Sequence, residues 1–271
     1  ISFILTGFVV GALGWQWGFA VAAVAGFIGT LIILVFVCDT PQSKGLPSLP
    51  ELTGEQPAKA DQLPTKEAQK MVISHPGIWI IAASSAFIYI SKYAVAGWGV
   101  LFLTKTKDFS LESATSVIAF SSVFGIGGTV LAGWISDKIF RGNRMLPSLI
   151  SGIVALGAMA AFLLTGGGYI VNVLYVSVFS LFISVLYCIV SGLMAVDIVP
   201  RKATGAAVGI VGISSYIAAG LQDIASGYLI HSETIADGTA IYDFSSVSVF
   251  WLIATAIAFL LPVLCWNKMK P

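Results

Sequence analysis

Seven stretches of this chain are each long and apolar enough to cross a lipid bilayer as a helix. A helix needs about 20 mostly apolar residues to span the hydrocarbon core, and such stretches cover residues 19–38, 77–103, 114–135, 146–165, 168–196, 203–228 and 246–266. Of the 271 residues, 57% are hydrophobic and 10% are charged, whereas about 25% are charged in an ordinary soluble domain. The sequence therefore predicts an all-α, multi-pass membrane protein.

A shorter apolar stretch, residues 1–13, precedes these seven. We expect it to be a helix cut by the boundary of the chain, which would then be a fragment with about eight transmembrane helices. A signal-peptide core is the alternative. No basic residue stands ahead of the stretch, however, and no small-residue cleavage site clearly follows it.

Lysine and arginine indicate which loops face the cytoplasm. If the polar segment 39–75 lies inside, eleven of the fourteen Lys and Arg residues fall on the cytoplasmic side. That segment carries five prolines among small and charged residues, a composition typical of a linker. Six predicted helices follow it, as two sets of three that start from opposite sides of the membrane. This is the arrangement expected of an inverted repeat within half of a twelve-helix transporter.

Composition and motifs argue against several other functions. The formal net charge of +1 gives no reason to expect nucleic acid binding. Cys38, Cys188 and Cys265 lie in apolar stretches without CxxC spacing, which gives no reason to expect a metal or redox pair. The sequence contains no GxxxxGK[ST], HExxH or GxSxG motif. We therefore expect neither an enzyme nor a cofactor.

Polar side chains recur at helical spacing on four of the six predicted helices. The four stripes are Ser85, Tyr89 and Lys92; Ser121 with Gly125 and Gly128; Ser177, Ser180, Ser184, Tyr187 and Ser191; and Tyr216, Asp223 and Ser226. These stripes predict helices that surround a polar cavity, and the other two helices are expected to face lipid. Close packing of membrane helices uses the same small residues and is the alternative for each stripe.

Lys92 and Asp223 are the acidic and basic side chains that lie deep within predicted spans. A charge at the centre of a membrane helix costs roughly 2.5–3.5 kcal/mol on insertion scales, and such residues usually mark a binding site or an ion path. We expect Lys92 to bind an anionic substrate, with Asp223 near enough to keep the empty ammonium charged. The alternative is a structural ion pair between Lys92 and Asp223. The two roles can coexist if substrate competes with Asp223 for the lysine.

Three segments, "DTPQSKGLP" (39–47), "GWISDKIFRGNR" (133–144) and "VPRKATGAAVGIVG" (199–212), closely resemble the organophosphate:phosphate antiporters of the major facilitator superfamily. That family includes bacterial glycerol-3-phosphate and hexose-phosphate transporters and a related hexose-phosphate sensor. The resemblance implies a major facilitator fold in the bacterial inner membrane, running from the fifth helix to the twelfth. Residues 1–38 would be the last helices of the N-terminal half, 39–76 a cytoplasmic linker, and 77–271 the six-helix C-terminal half, with the first helices of the same protein as a partner.

The resemblance also implies exchange of a phosphate monoester for inorganic phosphate by alternating access. One basic residue from each half would bind the phosphate. The basic residue of the C-terminal half maps onto Lys92, and an aromatic residue one turn before it maps onto Tyr89. Tyr187, Tyr216 and Asp223 complete the predicted substrate site. The family usually has arginine at the position of Lys92, and lysine lacks the planar, bidentate fork that arginine offers to phosphate.

A charged loop follows the third predicted helix. Asp137 ends that helix, and Lys138, Arg141 and Arg144 follow it. Such a cluster can pair with neighbouring helix ends in one conformation and release them in another, so we expect it to bias a two-state gate. Charge that only sets the topology is the alternative.

The substrate and the mode of action are open at this point. Hexose phosphate is slightly preferred over glycerol 3-phosphate, because Gly97 and Gly99 beside Trp98 would leave room for a sugar ring. The alternative to a transporter is a transporter-like membrane sensor of hexose phosphate that signals to a kinase.

Overall fold

A computed structural model describes residues 9, 12–38, 41–47, 64–234 and 240–264. The chain divides into two units, Ile1–Gln62 and Leu63–Pro271. In the first unit, helix α1 (Trp15–Phe36) is apolar all round and leaves almost every side chain exposed, with Gly18 buried, as expected of a span that faces lipid. The short helix predicted at 1–13 falls outside the described residues, apart from three positions.

The second unit contains the remaining helices and one hairpin. Their bounds are α2 Thr65–Ser74, α3 Pro76–Thr106, α4 Leu111–Ile139, α5 Met145–Leu164, α6 Tyr169–Asp197, α7 Arg201–Leu229, α8 Ser245–Leu264, β1 His231–Thr234 and β2 Ala240–Asp243. Seven helices in the described part of the chain, α1 and α3 to α8, are long and apolar enough to cross a membrane. This confirms the predicted all-α membrane fold.

Three of the long helices contain a π-helical segment. The segments are Ala94–Trp98 in α3, Ile135–Ile139 in α4 and Cys188–Met194 in α6. Single π-turns inside α-helices are frequent at functional sites. All three occur on helices for which the sequence predicts a cavity-facing stripe.

Local side-chain bonds determine where several helices begin. His75 Nδ1 accepts a hydrogen bond from the Gly77 amide at 3.1 Å, and Pro76 follows as the first residue of α3. Ser110 Oγ accepts from the Ser113 amide at 3.2 Å and caps α4. Asn143 accepts from two amides at the start of α5. Each cap satisfies amides that have no partner within the helix.

Glycines allow two pairs of helices to pack closely. A Cβ atom on Gly128 of α4 would lie 2.1 Å from the carbonyl oxygen of Leu181 in α6, and one on Gly152 of α5 would lie 2.1 Å from the ring of Phe259 in α8. Part of the predicted stripe on α4 is therefore a packing surface, as small residues are in many membrane helices.

Two features differ from the sequence expectations. The last third of the predicted linker forms α2, where Ala68 and Val72 are buried against Ile78, Ala203 and Ala207. The loop after α7 forms an antiparallel hairpin in which Ser232 pairs with Tyr242. The chain divides between residues 62 and 63, so the domain boundaries at 38 and 76 stay predictions.

Candidate substrate site

Lys92 lies near the middle of α3, immediately before the π-helical segment. Its side chain is exposed on the surface of the six-helix unit, and Nζ lies 5.3 Å from the centre of the Tyr187 ring. No carboxylate of the described residues lies within 4.0 Å of this ammonium. The position combines a charge at membrane depth with an aromatic face that favours a cation.

A cluster of four tyrosines adjoins Lys92. The ring of Tyr89 is stacked on Tyr93 at 5.6 Å and contacts the rings of Tyr187 and Tyr216 at 5.5 and 5.4 Å. Tyr89 also donates a hydrogen bond to the Tyr187 hydroxyl at 3.3 Å. The structure thus brings together three tyrosines that the sequence singled out on α3, α6 and α7. Tyr93 was missed, although its position one turn after Tyr89 and next to Lys92 was a usable signal.

A cavity of about 290 Å³ opens beside Lys92. Besides Lys92, its polar lining consists of hydroxyl side chains from α4 and α6, namely Ser121, Ser122, Thr129, Ser180 and Ser184. Apolar side chains, among them Phe179 and Ile183, complete the walls. The stripes on α4 and α6 had marked Ser121, Ser180 and Ser184, whereas Ser122 and Thr129 were missed.

Asp223 lies on α7 near the π-helical segment of α3. Its Oδ1 accepts a hydrogen bond from the indole Nε1 of Trp98 at 3.2 Å, and the ion pair with Lys92 that was considered as an alternative is not formed. The carboxylate is exposed on the same unit. A role for Asp223 in keeping Lys92 charged stays a prediction.

The space expected at Gly99 is already filled. A Cβ atom on Gly99 would lie 2.7 Å from Cδ1 of Ile118, so this buried glycine allows α3 and α4 to approach each other. At Gly97, a Cβ atom would lie 3.6 Å from Asp223 Oδ1. The expectation that Gly99 leaves room for a sugar ring is therefore wrong.

Another part of the polar stripes joins helices. Ser85 Oγ lies 2.7 Å from Ser191 Oγ and 2.6 Å from Ser215 Oγ, and all three serines are buried. These hydrogen bonds connect α3, α6 and α7. These serines therefore serve the packing of helices against one another, which was the alternative to a cavity lining.

The charged loop contains a three-residue ion-pair network. Arg144 donates to Asp137 at 2.6 Å and to Asp197 at 3.1 Å, and it also donates to Ser136 at 2.6 Å. Burial disfavours the charged guanidinium, but the bonds to the two carboxylates outweigh it and raise the pKa of Arg144. The network connects the ends of α4 and α6.

Not every predicted gating residue belongs to this network. Lys138 and Arg141 are exposed and form no ion pair within the described ranges. Asp197 does belong to it and was missed by the sequence reasoning. Its place at the end of a predicted span, two residues before the "VPRK" segment, was the available signal.

Comparison with known families identifies the class of protein. The family model described as Major Facilitator Superfamily matches residues 1–222. The chain belongs to the Major Facilitator Superfamily.

Curated relatives narrow this class. A glycerol-3-phosphate transporter of Bacillus subtilis is 33% identical over 75% of this chain and 47% of its own length. A probable hexose phosphate transport protein of Chlamydia pneumoniae is 28% identical over 98% of this chain and 60% of its own length. The membrane sensor protein UhpC of Escherichia coli is 29% identical over 77% of this chain and 49% of its own length.

These relatives confirm the resemblance to the organophosphate:phosphate antiporter family. The chain spans about half the length of the curated relatives that it matches, between 47% and 60% for these three. Together with the seven candidate spans, the bacterial relatives confirm an integral, multi-pass protein of the inner membrane.

Proposed function

We propose that this chain belongs to an antiporter that exchanges a phosphorylated sugar or polyol for inorganic phosphate by alternating access. Lys92 carries the proposal because the residue is exposed near the middle of a membrane-spanning helix and has no carboxylate within ion-pair distance in the described part of the chain. An uncompensated charge at such a depth costs roughly 2.5–3.5 kcal/mol on insertion scales. A phosphate that binds there offsets this cost.

The tyrosine cluster supports the same role. The ring of Tyr187 lies beneath the ammonium at 5.3 Å, an arrangement that holds a cation by attraction to the aromatic face. Tyr89, which is 8% exposed and contacts three other rings, fixes the position of Tyr187. Lys92 is thereby placed before substrate arrives, which lowers the entropy cost of binding.

The Arg144 network supports the alternating-access part of the proposal. It connects the ends of α4 and α6, the two helices that supply the hydroxyl groups of the cavity. A change in these ion pairs would therefore alter the cavity as well as the helix ends. Asp137, Lys138, Arg141 and Arg144 were predicted as a gate, and the geometry favours Arg144 with Asp137 and Asp197 as its central members.

A sensor is the second candidate, because UhpC, a membrane sensor protein, is 29% identical over 77% of this chain. A sensor would bind the same ligand in the same cavity without exchanging it. Binding alone therefore cannot separate the two functions.

Exchange in vesicles separates them. The full-length protein is reconstituted, the vesicles are loaded with inorganic phosphate, and entry of labelled phosphate is followed. A transporter gives uptake that requires internal phosphate and that external sugar phosphate inhibits. Saturable phosphate binding without uptake would contradict the antiporter and favour the sensor.

A further inference from the structure

Helix α2 has one face that packs against the protein and another that carries two lysines and an isoleucine. Ala68 and Val72 are fully buried against residues of α3 and α7. On the other side, Lys66, Lys70 and Ile73 recur at intervals of four and three, which places them on one face of the helix, and all three are exposed. A face that combines lysines with a large apolar side chain suits the membrane interface, where headgroups and acyl chains are both within reach.

Trp79 places the end of α2 at the membrane surface. A single residue, His75, separates α2 from the membrane-spanning helix α3, so α2 ends where the span begins. Trp79 lies in the first turns of that span, and its indole Nε1 donates to the Ile73 carbonyl at 2.9 Å. Tryptophan near the end of a span typically lies at the level of the headgroups. This hydrogen bond therefore holds the end of α2 at that level.

The side chain of Trp79 faces lipid and not the cavity. Between positions 79 and 92 an α-helix turns so that the two side chains point about 140° apart. Lys92 lines the cavity, whereas Trp79 is 53% exposed on the other side of α3. Ile73 at the end of α2 is 58% exposed. These two apolar side chains continue the lipid-facing surface of the span onto α2.

The charge of the same face favours an anionic partner. Lys66 and Lys70 form no ion pair with any carboxylate that the structure describes, including Glu67 on their own helix. They lie on the side of the membrane that the distribution of lysine and arginine predicts to be cytoplasmic. Anionic lipids of the cytoplasmic leaflet attract basic residues at the membrane surface. The long stem of lysine can lie along apolar groups while its ammonium reaches a headgroup phosphate.

We propose that the face of α2 formed by Lys66, Lys70 and Ile73, together with Trp79, binds an anionic phospholipid of the cytoplasmic leaflet. The headgroup phosphate is held by the two ammonium groups, and the acyl chains contact Ile73 and Trp79. The site is separate from the cavity at Lys92. It does not depend on phosphate exchange and applies to a transporter and to a sensor alike.

Thermal unfolding of the full-length protein in an uncharged detergent tests this site. Phosphatidylglycerol or phosphatidylcholine is added at increasing mole fraction, and the thermal midpoint is measured. Phosphatidylglycerol should raise the midpoint more than phosphatidylcholine, because a ligand that binds only the folded state stabilises it. In Lys66→Gln/Lys70→Gln, the mole fraction of phosphatidylglycerol needed for half of this excess should rise about tenfold, the effect expected of two lysines near an anionic surface.

Two further variants serve as controls. Lys44→Gln/Lys138→Gln removes the same number of charges from the predicted cytoplasmic side, at exposed positions outside α2, and should respond to phosphatidylglycerol as the wild type does. Ile73→Ser keeps both lysines and removes an apolar contact. It should weaken the response to both lipids, because the acyl chains of both lose the same contact.

The pattern across lipids decides between a lipid site and a protein contact. A selective loss of the phosphatidylglycerol effect in Lys66→Gln/Lys70→Gln, with the control double variant unchanged, supports the site. An unaltered response of Lys66→Gln/Lys70→Gln would overturn it. A midpoint that falls equally in both lipids would also overturn it, because the two lysines would then contact another part of the protein.

Discussion

Asp223 accepts a hydrogen bond from Trp98 at 3.2 Å and does not pair with Lys92. Two charges that looked like natural partners in the sequence therefore have different surroundings. Lys92 faces a cavity and an aromatic ring, while the carboxylate of Asp223 is held by an indole.

Because no direct ion pair joins Asp223 to Lys92, we expect Asp223→Asn to leave phosphate affinity within about threefold of wild type, in contrast to the predicted role of this carboxylate in keeping the ammonium charged. The amide oxygen of asparagine still accepts from Trp98, and Lys92 loses no direct partner. Equilibrium binding of labelled phosphate at several pH values measures the effect, with Trp98→Phe as the control that removes the same hydrogen bond from its other side. A drop in affinity of tenfold or more in Asp223→Asn alone would show that the carboxylate acts on Lys92 directly.

The ion-pair network of Arg144 should matter more than the exposed charges around it. Arg144→Lys keeps the charge but cannot reach Asp137 and Asp197 with the same planar geometry. We expect it to slow exchange by about tenfold while phosphate binding is retained; because the carboxylates are largely solvated, the loss of stability should be only about 1 kcal/mol.

Arg141→Asn is the control for Arg144→Lys. Arg141 is exposed and has a φ of 52°, a left-handed conformation that asparagine tolerates. This variant should exchange phosphate at the wild-type rate. Equal impairment of both variants would mean that loop charge in general, and not the bonds of Arg144, controls the rate.

Gly128 tests the close contact between α4 and α6. In Gly128→Ala the new methyl group would lie 2.1 Å from the Leu181 carbonyl oxygen, and backbone cannot yield as a flexible side chain can. Overpacking of this kind costs about 1–3 kcal/mol, so the thermal midpoint in detergent should fall. Gly127→Ala, where no atom of the described residues lies within 4 Å of the new methyl group, should be neutral. Similar midpoints for the two variants would contradict the contact.

Lys107 gives a pH dependence of stability. Its Nζ donates to the Phe162 carbonyl at 2.6 Å and to Asn172 at 2.7 Å, and burial lowers the pKa of Lys107 from 10.5 to about 8. Between these two values the unfolded chain binds the proton and the folded protein does not. This residue should therefore make stability rise with pH across that window and contribute no slope below it.

Comparison with Lys107→Met isolates the contribution of Lys107 to the pH dependence of stability, because methionine does not titrate. Above about pH 10, where the wild-type amine is largely neutral in both states, the thermal midpoint of the variant should be lower, since two hydrogen bonds are lost without relief of a buried charge. Its rise between about pH 8 and 10 should be smaller than that of wild type. Parallel curves for the two proteins would show that Lys107 titrates normally.

The membrane-spanning helices were predictable because each apolar stretch has about the 20 residues that a helix needs to cross a bilayer. The hairpin at β1 and β2 was missed because each strand has only four residues, although the Asp-Gly pair at 237–238 between them in the sequence is a common hairpin turn signal. Gly99 was misread because spacing cannot show that Ile118 on another helix fills the adjoining space.

The centre of the candidate site was also visible in the sequence, since Lys92 and the three tyrosines stand out against apolar surroundings. Helical spacing could not show which serines join helices and which line the cavity. Ser85 bonds to Ser191 and to Ser215, whereas Ser180 and Ser184 line a cavity. These groups look alike along the chain, and only the positions of neighbouring helices separate them.

Exchange of labelled phosphate in vesicles that contain the Lys92→Gln or the Lys92→Arg variant shows whether Lys92 binds phosphate. Glutamine keeps polarity and similar size but removes the charge, so exchange should fall to background although the protein inserts normally. Arginine restores a charge and adds a bidentate fork, so exchange should persist, with an altered preference among organic phosphates. Full exchange by Lys92→Gln at wild-type phosphate affinity would mean that phosphate does not bind at Lys92.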